Sequence, residues 1–582
     1  MRKTKIICTI GPSSEDAGQL RQMISAGMNV ARLNFSHGEH DEHGRRIERV
    51  RAAARELERP VAVMLDTKGP EIRTGLLEEG QICLQAGQRF VLTSREIKGD
   101  ENGVQVSYAP LAREVGKGSI ILLSDGLISL QVEESRGEDL ICTVVNGGVL
   151  GEKKGINVPG VRINMPFLSQ KDIDDIHFGI DQEVDFIAAS FVRSAEDVLE
   201  IRRILEEKNA VIDIIAKIES QGAVDNLEDI IKIADGIMVA RGDLGVEIPA
   251  EDVPLVQRKI VAQCNAAGKI VIVATQMLDS MINNPRPTRA EVSDVANAIF
   301  EGADAIMLSG ETAAGKYPLA AVETMARIAK RAEESINYKE ILAQKGLQGN
   351  LSVTDAISHA CCTIAGNLGI SSIITPTQTG TTARMIAKYK PEADILAVTC
   401  HEKVLRKLTL VWGVYPVLAR ETSGTDELLD EALNCCLEKE YIKRGDMVVL
   451  SAGSPTGFSG GTNLIKVHIV GEILAYGMGI GNRPVSGTVR VIIHDGDLYK
   501  IQPGDIVVTN AASPALSAHL DKIKGLIAEV GGLTSDAAII GLNAGIPVIV
   551  GCNGATAIFK DDMLVTVDTT HGRIYNGLAK VL

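Results

Sequence analysis

Ile214-Ile215-Ala216-Lys217-Ile218-Glu219, followed by Val239-Ala240-Arg241-Gly242-Asp243, is the stretch on which the reading of this chain turns. The first run is a strand pattern, aliphatic except for one lysine and a closing carboxylate. Alternate residues of a strand point to the same face, so the Lys217 ammonium and the Glu219 carboxylate emerge side by side. The stretch Gly222 to Ala234 reads as helical and makes a βαβ unit with the next apolar strand. Asp243 then arrives at the carboxyl end of that neighbouring strand, beside the first pair. Two carboxylates around a lysine suit a divalent cation and a phosphoryl group sharing one site. A lone Lys-x-Glu on a strand is more often a solvated surface pair, so the weight falls on what surrounds it.

Outward from this unit the same alternation recurs. Strands are expected at Lys5–Ile10, Met28–Leu33, Val61–Asp66, Val184–Ser190, Val211–Glu219, Asp235–Ala240, Lys269–Thr275 and Asp304–Ser309, with helices such as Glu196–Lys208 and Arg289–Glu301 between them. Near-continuous apolar strands alternating with helices read as a parallel sheet, and eight is the number that closes a (β/α)8 TIM barrel. Arg32, Asn34, Asp66, Thr67, Lys217, Glu219, Asp243, Thr275 and Ser309 all fall at carboxyl ends of those strands. That rim is where such barrels place their chemistry.

The break between the third and fourth strands is all-β in pattern, with short strands at Arg89–Ser94, Val104–Tyr108, Ser119–Ser124, Leu127–Glu133 and Leu140–Asn146 and a hairpin turn at Ser124-Asp125-Gly126. It reads as an inserted β-barrel lid domain. From Asn350 to Ala475 strands and helices alternate again. There the run Thr375-Pro-Thr-Gln-Thr-Gly-Thr-Thr382 opens the helix Ala383–Tyr389, an anion nest in which Thr377, Thr379, Gly380, Thr381 and Thr382 are candidate phosphate ligands. The loop Gly457-Phe-Ser-Gly-Gly-Thr462 is placed to close over the same ligand. A glycine-rich joint at Tyr476–Gly481 precedes a last compact module. The expected division is 1–73 with 167–345 for the barrel, 74–166 for the lid, 346–475 for a C-terminal α/β domain, and 476–582 for an extra, swivelling-type domain.

The formal charge of −15 argues against a nucleic-acid partner. Ten scattered cysteines without Cys-x-x-Cys fit reduced structural thiols better than a zinc site or disulfides. No apolar run approaches the ~18 residues that span a membrane. The expectation is a soluble, cytoplasmic protein. His37, His40 and His43 lack the spacing of a zinc motif, and a Schiff base on Lys217 is disfavoured by the flanking carboxylates.

At this point the chain resembles the pyruvate kinases, from Thr4 to about Ala475. The resemblance is carried by Thr9-Ile-Gly-Pro-Ser13, Asn29-Val-Ala-Arg-Leu-Asn-Phe-Ser-His-Gly38, Leu65-Asp-Thr-Lys-Gly-Pro-Glu-Ile-Arg-Thr74, Lys153-Lys-Gly-Ile-Asn157, Ile214–Glu219, Val239–Glu247, Ala274-Thr-Gln-Met-Leu278, Asn284–Glu291 and Met307-Leu-Ser-Gly-Glu-Thr-Ala313, in that order. It implies phosphoryl transfer between phosphoenolpyruvate and ADP, giving pyruvate and ATP in glycolysis, by a homotetramer. It implies that Lys217 meets the transferring phosphoryl, that Glu219 and Asp243 hold Mg²⁺ or Mn²⁺, and that Arg32 pairs with the substrate phosphate. Gly242 and Thr275 would take the substrate carboxylate, with Thr275 and Ser309 near the enolate. Asn34, Ser36, Asp66 and Thr67 match the family's K⁺ ligands, and Asn34, His37, Arg73 and Lys154 its nucleotide contacts. Glu71 stands where K⁺-dependent members resemble this chain and K⁺-independent members carry a lysine, so K⁺ activation is expected.

Three departures bear on regulation and on the tail. Gly222 stands where many relatives have an acidic residue, at a helix start away from the chemistry. The loop Gly453-Ser-Pro-Thr-Gly457 lacks the Trp and Arg of animal members activated by fructose 1,6-bisphosphate, so AMP or a sugar monophosphate is the expected effector. The last module is similar to the phosphohistidine domain of phosphoenolpyruvate-utilising enzymes, but Gly531-Gly-Leu-Thr-Ser-Asp-Ala-Ala538 carries Asp536 where that motif has its histidine. Alternatives from other classes are a metal-dependent carbon–carbon lyase on a pyruvate-enolate barrel and a catalytically silent phosphometabolite sensor.

Overall fold

The computed structural model describes residues 1–161, 163–346, 352–422, 424–453, 462–471 and 473–579. They fall into two compact units, one made of 1–345, 387–390 and 401–416, the other of the remaining described residues.

In the first unit eight parallel strands close into a barrel: β1 (Lys5–Thr9), β2 (Val30–Asn34), β3 (Ala62–Asp66), β4 (Phe186–Ala189), β5 (Asp213–Ile218), β6 (Gly236–Ala240), β7 (Ile270–Ala274) and β8 (Ala305–Leu308). They follow one another in chain order around the barrel, and β8 pairs back onto β1 with Lys5 opposite Ala305. Strand β5 illustrates why the run folds this way. Ile214, Ala216 and Ile218 join the large aliphatic core beneath the surrounding helices, which leaves Ile215 and Lys217 on the opposite, inner face. The helices are closed by local signals. Thr288 and Glu291 form a capping box at the start of Arg289–Glu301, and Gly302, at φ 101°, ends that helix where a Cβ would strike Asn265.

The helix read across Gly222–Ala234 is instead two short helices, Gln221–Asp225 and Leu227–Ile233. Asn226 breaks it, because its side-chain amide donates to the carbonyls of Gly222 and Arg193 and so competes with the helix's own bonds.

The insertion is β-rich, as read. Its seven-stranded sheet runs Ile72–Arg73, Gly155–Asn157, Ile120–Leu123, Ile128–Arg136, Asp139–Asn146, Arg89–Thr93, Gly103–Gln105, and a two-stranded sheet pairs Gly148–Gly151 with Gln81–Leu84. Ser124, Asp125 and Gly126 all take positive φ in the turn between Ile120–Leu123 and Ile128–Arg136. The strands missed in the sequence are two to four residues long, too short for an alternation to register.

In the second unit Asp394–Thr399, Ser372–Pro376 and Met447–Gly453 lie parallel in a sheet that Thr462–Ile469 extends antiparallel. The helix after Pro376 spans Thr381–Ala387, starting earlier than the sequence suggested. Of the loop 457–462, only Thr462 lies within the described residues. An eight-stranded mixed sheet follows, from Ile473–Tyr476 to Met478–Ile480 at its two edges. Gly477 links these two edge strands, and Gly479 lies in strand backbone packed so closely that a Cβ there would fall 1.8 Å from the Thr569 carbonyl oxygen. All ten cysteines are free, and most are buried.

Candidate active site

Asp66, the last residue of β3, is the hub of the barrel rim. Its Oδ2 accepts from Arg32 Nε at 2.6 Å, and its Oδ1 accepts from Lys217 Nζ at 3.2 Å and from Ser190 Oγ at 3.2 Å. Lys217 Nζ also donates to Ser190 Oγ at 2.7 Å and lies 2.9 Å from Glu219 Oε1. Arg32 Nη1 donates to Thr9 Oγ1 at 2.9 Å. Burial alone would raise the Asp66 pKa, but Arg32 and Lys217 more than offset it and hold the carboxyl below its ordinary value. Burial likewise pulls the lysine down, yet Asp66 and Glu219 overcome this and keep it raised, so Lys217 stays an ammonium.

Glu219 is fully buried. Its Oε2 accepts from Phe191 N at 2.6 Å, and burial followed by the nearby Asp243 charge pushes its carboxyl up to about 7 against the pull of Lys217. Its Oε1, though beside the Lys217 ammonium, makes no hydrogen bond. A buried acceptor with a spare lone pair and a second carboxylate close by is the donor chemistry that a hard divalent cation satisfies, so Glu219 and Asp243 fit Mg²⁺ or Mn²⁺. Asp243 sits in the first turn of the short helix Arg241–Glu247 that follows β6, not on the strand itself. Glu247 of that helix accepts from Asn157 of the inserted domain at 2.9 Å.

A second cluster lies after β7. Thr275 and Gln276 both take left-handed backbone, at φ 65° and 53°, a conformation that costs a β-branched residue energy and persists only when held. Arg241 holds it. Its Nε and Nη2 donate to the Thr275 carbonyl at 3.3 and 2.7 Å, and its Nη1 donates to Asp294 at 2.8 Å. The turn brings Thr275 Oγ1 to accept from Gly242 N at 2.8 Å. After β8, Ser309 Oγ is buried without a hydrogen-bond partner, and the backbone N–H of Ser309 donates to Glu311 Oε2 at 2.8 Å. Glu311 Oε1 accepts from Leu278 N at 3.1 Å, tying the two loops together.

The K⁺ candidates adjoin this hub. Asn34 and Asp66 are register partners on β2 and β3. Asn34 Oδ1 accepts from Ser36 N, and Thr67 Oγ1 accepts from Ser190 N at 3.1 Å. These are hard oxygens, two of them on buried residues, and they suit an alkali cation. The nucleotide candidates come from two elements. Asn34 closes β2 and His37 lies on the loop after it. Arg73 ends a short strand of the insertion and lies opposite Gly155, and Lys154 immediately precedes that paired strand. Arg73 is fastened to Glu71 at 2.6 Å and to the Lys153 carbonyl. The neighbouring histidines disperse: His43 Nε2 donates to the His37 carbonyl and its ring stacks on Phe35, while His40 pairs with Asp175. Among the described residues no cluster of metal-ligating side chains other than the carboxylate pair stands out.

Sequence reasoning missed Ser190, Thr9, Arg241 and Glu311 as parts of this machinery. Ser190 and Arg241 lay at expected strand ends, which is the signal that marked their neighbours. Thr9 and Glu311 lay within motifs that marked the family, but their roles did not show because their partners are remote in the chain.

In the second unit, Gly380 N donates to Thr377 Oγ1, Thr379 and Thr381 hydroxyls are 2.9 Å apart, and Thr382 meets Thr462 at 2.7 Å. The five candidates therefore do gather around the start of the Thr381–Ala387 helix. Asp536 opens the helix Asp536–Ala544, capped by Ser535, and is exposed.

The family described as pyruvate kinase, barrel domain, matches residues 1–322; pyruvate kinase, alpha/beta domain, matches 355–468; and PEP-utilising enzyme, mobile domain, matches 501–572. The chain is 52% identical over 586 residues to a pyruvate kinase of Bacillus licheniformis and 52% identical over 585 residues to one of Geobacillus stearothermophilus, with 100% of both chains covered in each case. A solved pyruvate kinase structure from Cryptosporidium parvum matches with a TM-score of 0.77 at 41% identity, over 81% of this chain and 96% of that one. With a barrel-domain match over more than half of the chain and relatives 52% identical over their full length, the chain belongs to the pyruvate kinase family.

Proposed function

We propose that the rim centred on Lys217 carries out the pyruvate kinase reaction, moving the phosphoryl group of phosphoenolpyruvate to ADP. The observation that carries this reading is the Lys217 ammonium, buried and held charged between Asp66 and Glu219. A fixed cation in a water-poor site stabilises charge developing on a transferring phosphoryl without having to reorganise. Arg32, aimed by Asp66 and Thr9, supplies a planar fork for the same phosphate. Glu219 and Asp243 would hold Mg²⁺ or Mn²⁺, which supplies further neutralisation of phosphoryl charge when bound. Gly242 and Thr275 would orient the substrate carboxylate, and Thr275 and the Ser309 hydroxyl, the latter buried and without a partner, would serve the proton relay to the enolate. Asn34, Ser36, Asp66 and Thr67 would take K⁺, and Asn34, His37, Arg73 and Lys154 would face the nucleotide.

The division into barrel, inserted lid, α/β domain and extra C-terminal domain belongs to the same reading, with closure of the insertion bringing Lys154 onto the nucleotide. So do a homotetramer working in the cytoplasm and activation by AMP or a sugar monophosphate at Thr377–Thr382. No helix of the described residues is long and apolar enough to cross a membrane. The deciding assay is ADP-dependent pyruvate formation from phosphoenolpyruvate with Mg²⁺, with and without K⁺, alongside Lys217→Met. Turnover without ADP would point to a lyase. No turnover, even with AMP or ribose 5-phosphate added, would point to a sensor.

A further inference from the structure

Four barrel strands begin at or just after an aspartate; Asp235, before β6, meets Arg202, and the other three are each met by a cation from two short stretches of chain, 387–390 and 401–416, that pack with the barrel. Asp185, just before β4, accepts Arg406 Nε at 2.9 Å on one oxygen and the Val63 backbone N–H at 2.9 Å on the other. Asp213, the first residue of β5, accepts Lys407 Nζ at 2.6 Å. Asp304, just before β8, accepts Lys390 Nζ on one oxygen and the Val271 N–H at 2.8 Å on the other. Lys390, Lys407 and all three aspartates are buried, and Arg406 nearly so. Around them the same stretches donate Gly413 N to the Lys3 carbonyl and accept Lys5 Nζ at the Val414 carbonyl. The ring of Trp412, the only tryptophan of the chain, is met by the ammonium groups of Lys3 and Lys390, at 5.4 and 4.8 Å from its centroid.

The far ends of those same three strands carry the chemistry. Strand β4 leads into Ser190 and Phe191, which hold Lys217 and Glu219. Strand β5 carries Lys217 and leads into Glu219, and β8 leads into Ser309. A strand of four to six residues is a stiff rod of about 13–20 Å, at ~3.3 Å per residue. Buried ion pairs have little tolerance for misplacement, since a charge left unmatched in the interior is costly. Three pairs at one end of the rods therefore fix the height and tilt of what stands at the other.

We propose that Lys390, Arg406 and Lys407 are positioning residues for the phosphoryl transfer, acting from the amino-terminal face of the barrel through Asp304, Asp185 and Asp213. This rests on the assignment of the rim to the reaction, and the test separates the two. A displacement of about 1 Å at reacting groups is enough to cost up to a hundredfold in rate. A buried ion pair that serves stability alone can be exchanged for apolar side chains with little loss.

The experiment uses the full-length chain. Lys407→Met/Asp213→Leu replaces one pair by apolar groups, and Lys407→Arg retains the charge. Thermal unfolding and Trp412 fluorescence report whether the segment stays docked, and kcat and KM for phosphoenolpyruvate and ADP report the site. The expected result is near-native unfolding and Trp412 emission, a kcat lowered at least tenfold in the double variant with KM for ADP unchanged, and recovery of most of kcat in Lys407→Arg. Native kcat in a stably folded double variant overturns the proposal. Should the double variant unfold, Arg406→Lys decides: lowered kcat at native melting temperature supports the proposal, and native kcat overturns it. Wild-type enzyme inactive under every condition would fail the rim assignment itself, which the wild-type control reads separately.

Discussion

Asp66 and Lys217, on strands β3 and β5 and 151 residues apart in sequence, meet at 3.2 Å, and the other oxygen of the same carboxylate holds Arg32 at 2.6 Å. One buried anion thus aims both cations of the rim. Its removal should be felt as a loss of placement, while removal of either cation should be felt as a loss of charge.

Lys217→Met is expected to lower kcat by about 10³ or more, the scale seen when a preorganised charge-stabilising group is lost. Asp66→Asn keeps the shape but leaves Lys217 and Arg32 without their common anion, and should lower kcat about 10²-fold. Steady-state kinetics on both variants checks this; equal, small effects would show that neither cation faces the reacting phosphoryl.

Arg241→Lys replaces two donors on the Thr275 carbonyl by a single ammonium and frees the left-handed turn at Thr275–Gln276. We expect kcat to fall ten- to a hundredfold with a modest stability loss of about 1–3 kcal/mol. Thr275→Val, which leaves the Gly242 N–H without its acceptor, should raise KM for phosphoenolpyruvate as well.

Burial raises the Glu311 carboxyl above its ordinary 4.5, even though it accepts two backbone N–H groups. Between 4.5 and its folded value the native state binds more protons than the unfolded chain, so stability falls as pH rises through that window. Glu311→Gln removes this titration. The stability of the wild type relative to Glu311→Gln should therefore decline from pH 4.5 upward in denaturant melts. The amide can accept only one of the two N–H groups, so kcat should drop about tenfold through misplacement of Ser309.

Glu71 pairs with Arg73 at 2.6 Å. Glu71→Lys should therefore do two things at once: lessen the dependence on K⁺, because a fixed ammonium substitutes for the ion, and raise KM for ADP, because Arg73 now faces a like charge. Full wild-type activity in strictly K⁺-free buffer would refute K⁺ activation altogether.

Asp536, exposed at the start of its helix, cannot form a phosphohistidine. Incubation of the full chain with labelled phosphoenolpyruvate should leave no acid-labile, base-stable label in residues 476–582. AMP and ribose 5-phosphate should activate more strongly than fructose 1,6-bisphosphate, and Thr382→Val should blunt that activation.

The barrel was legible because its signals are local. Aliphatic runs of four to six residues, helical spacing between them and polar residues at each run's end need only a short window of sequence. The same applied to the pairing of Lys217 with Glu219, two residues apart on one strand face, and to the ordered motifs that marked the family. What the sequence withheld were arrangements between distant residues: Asp66 as common partner of Arg32 and Lys217, Ser190 beneath the lysine, Arg241 bracing the turn at Thr275, Glu311 tying two loops, and aspartates at the foot of three strands meeting cations some 86 to 221 residues away. Hydrophobic periodicity is written residue by residue along the chain. A buried charge has no period, and its partner is settled only when barrel closure brings remote strands together and leaves each ion to be matched where no water can do it.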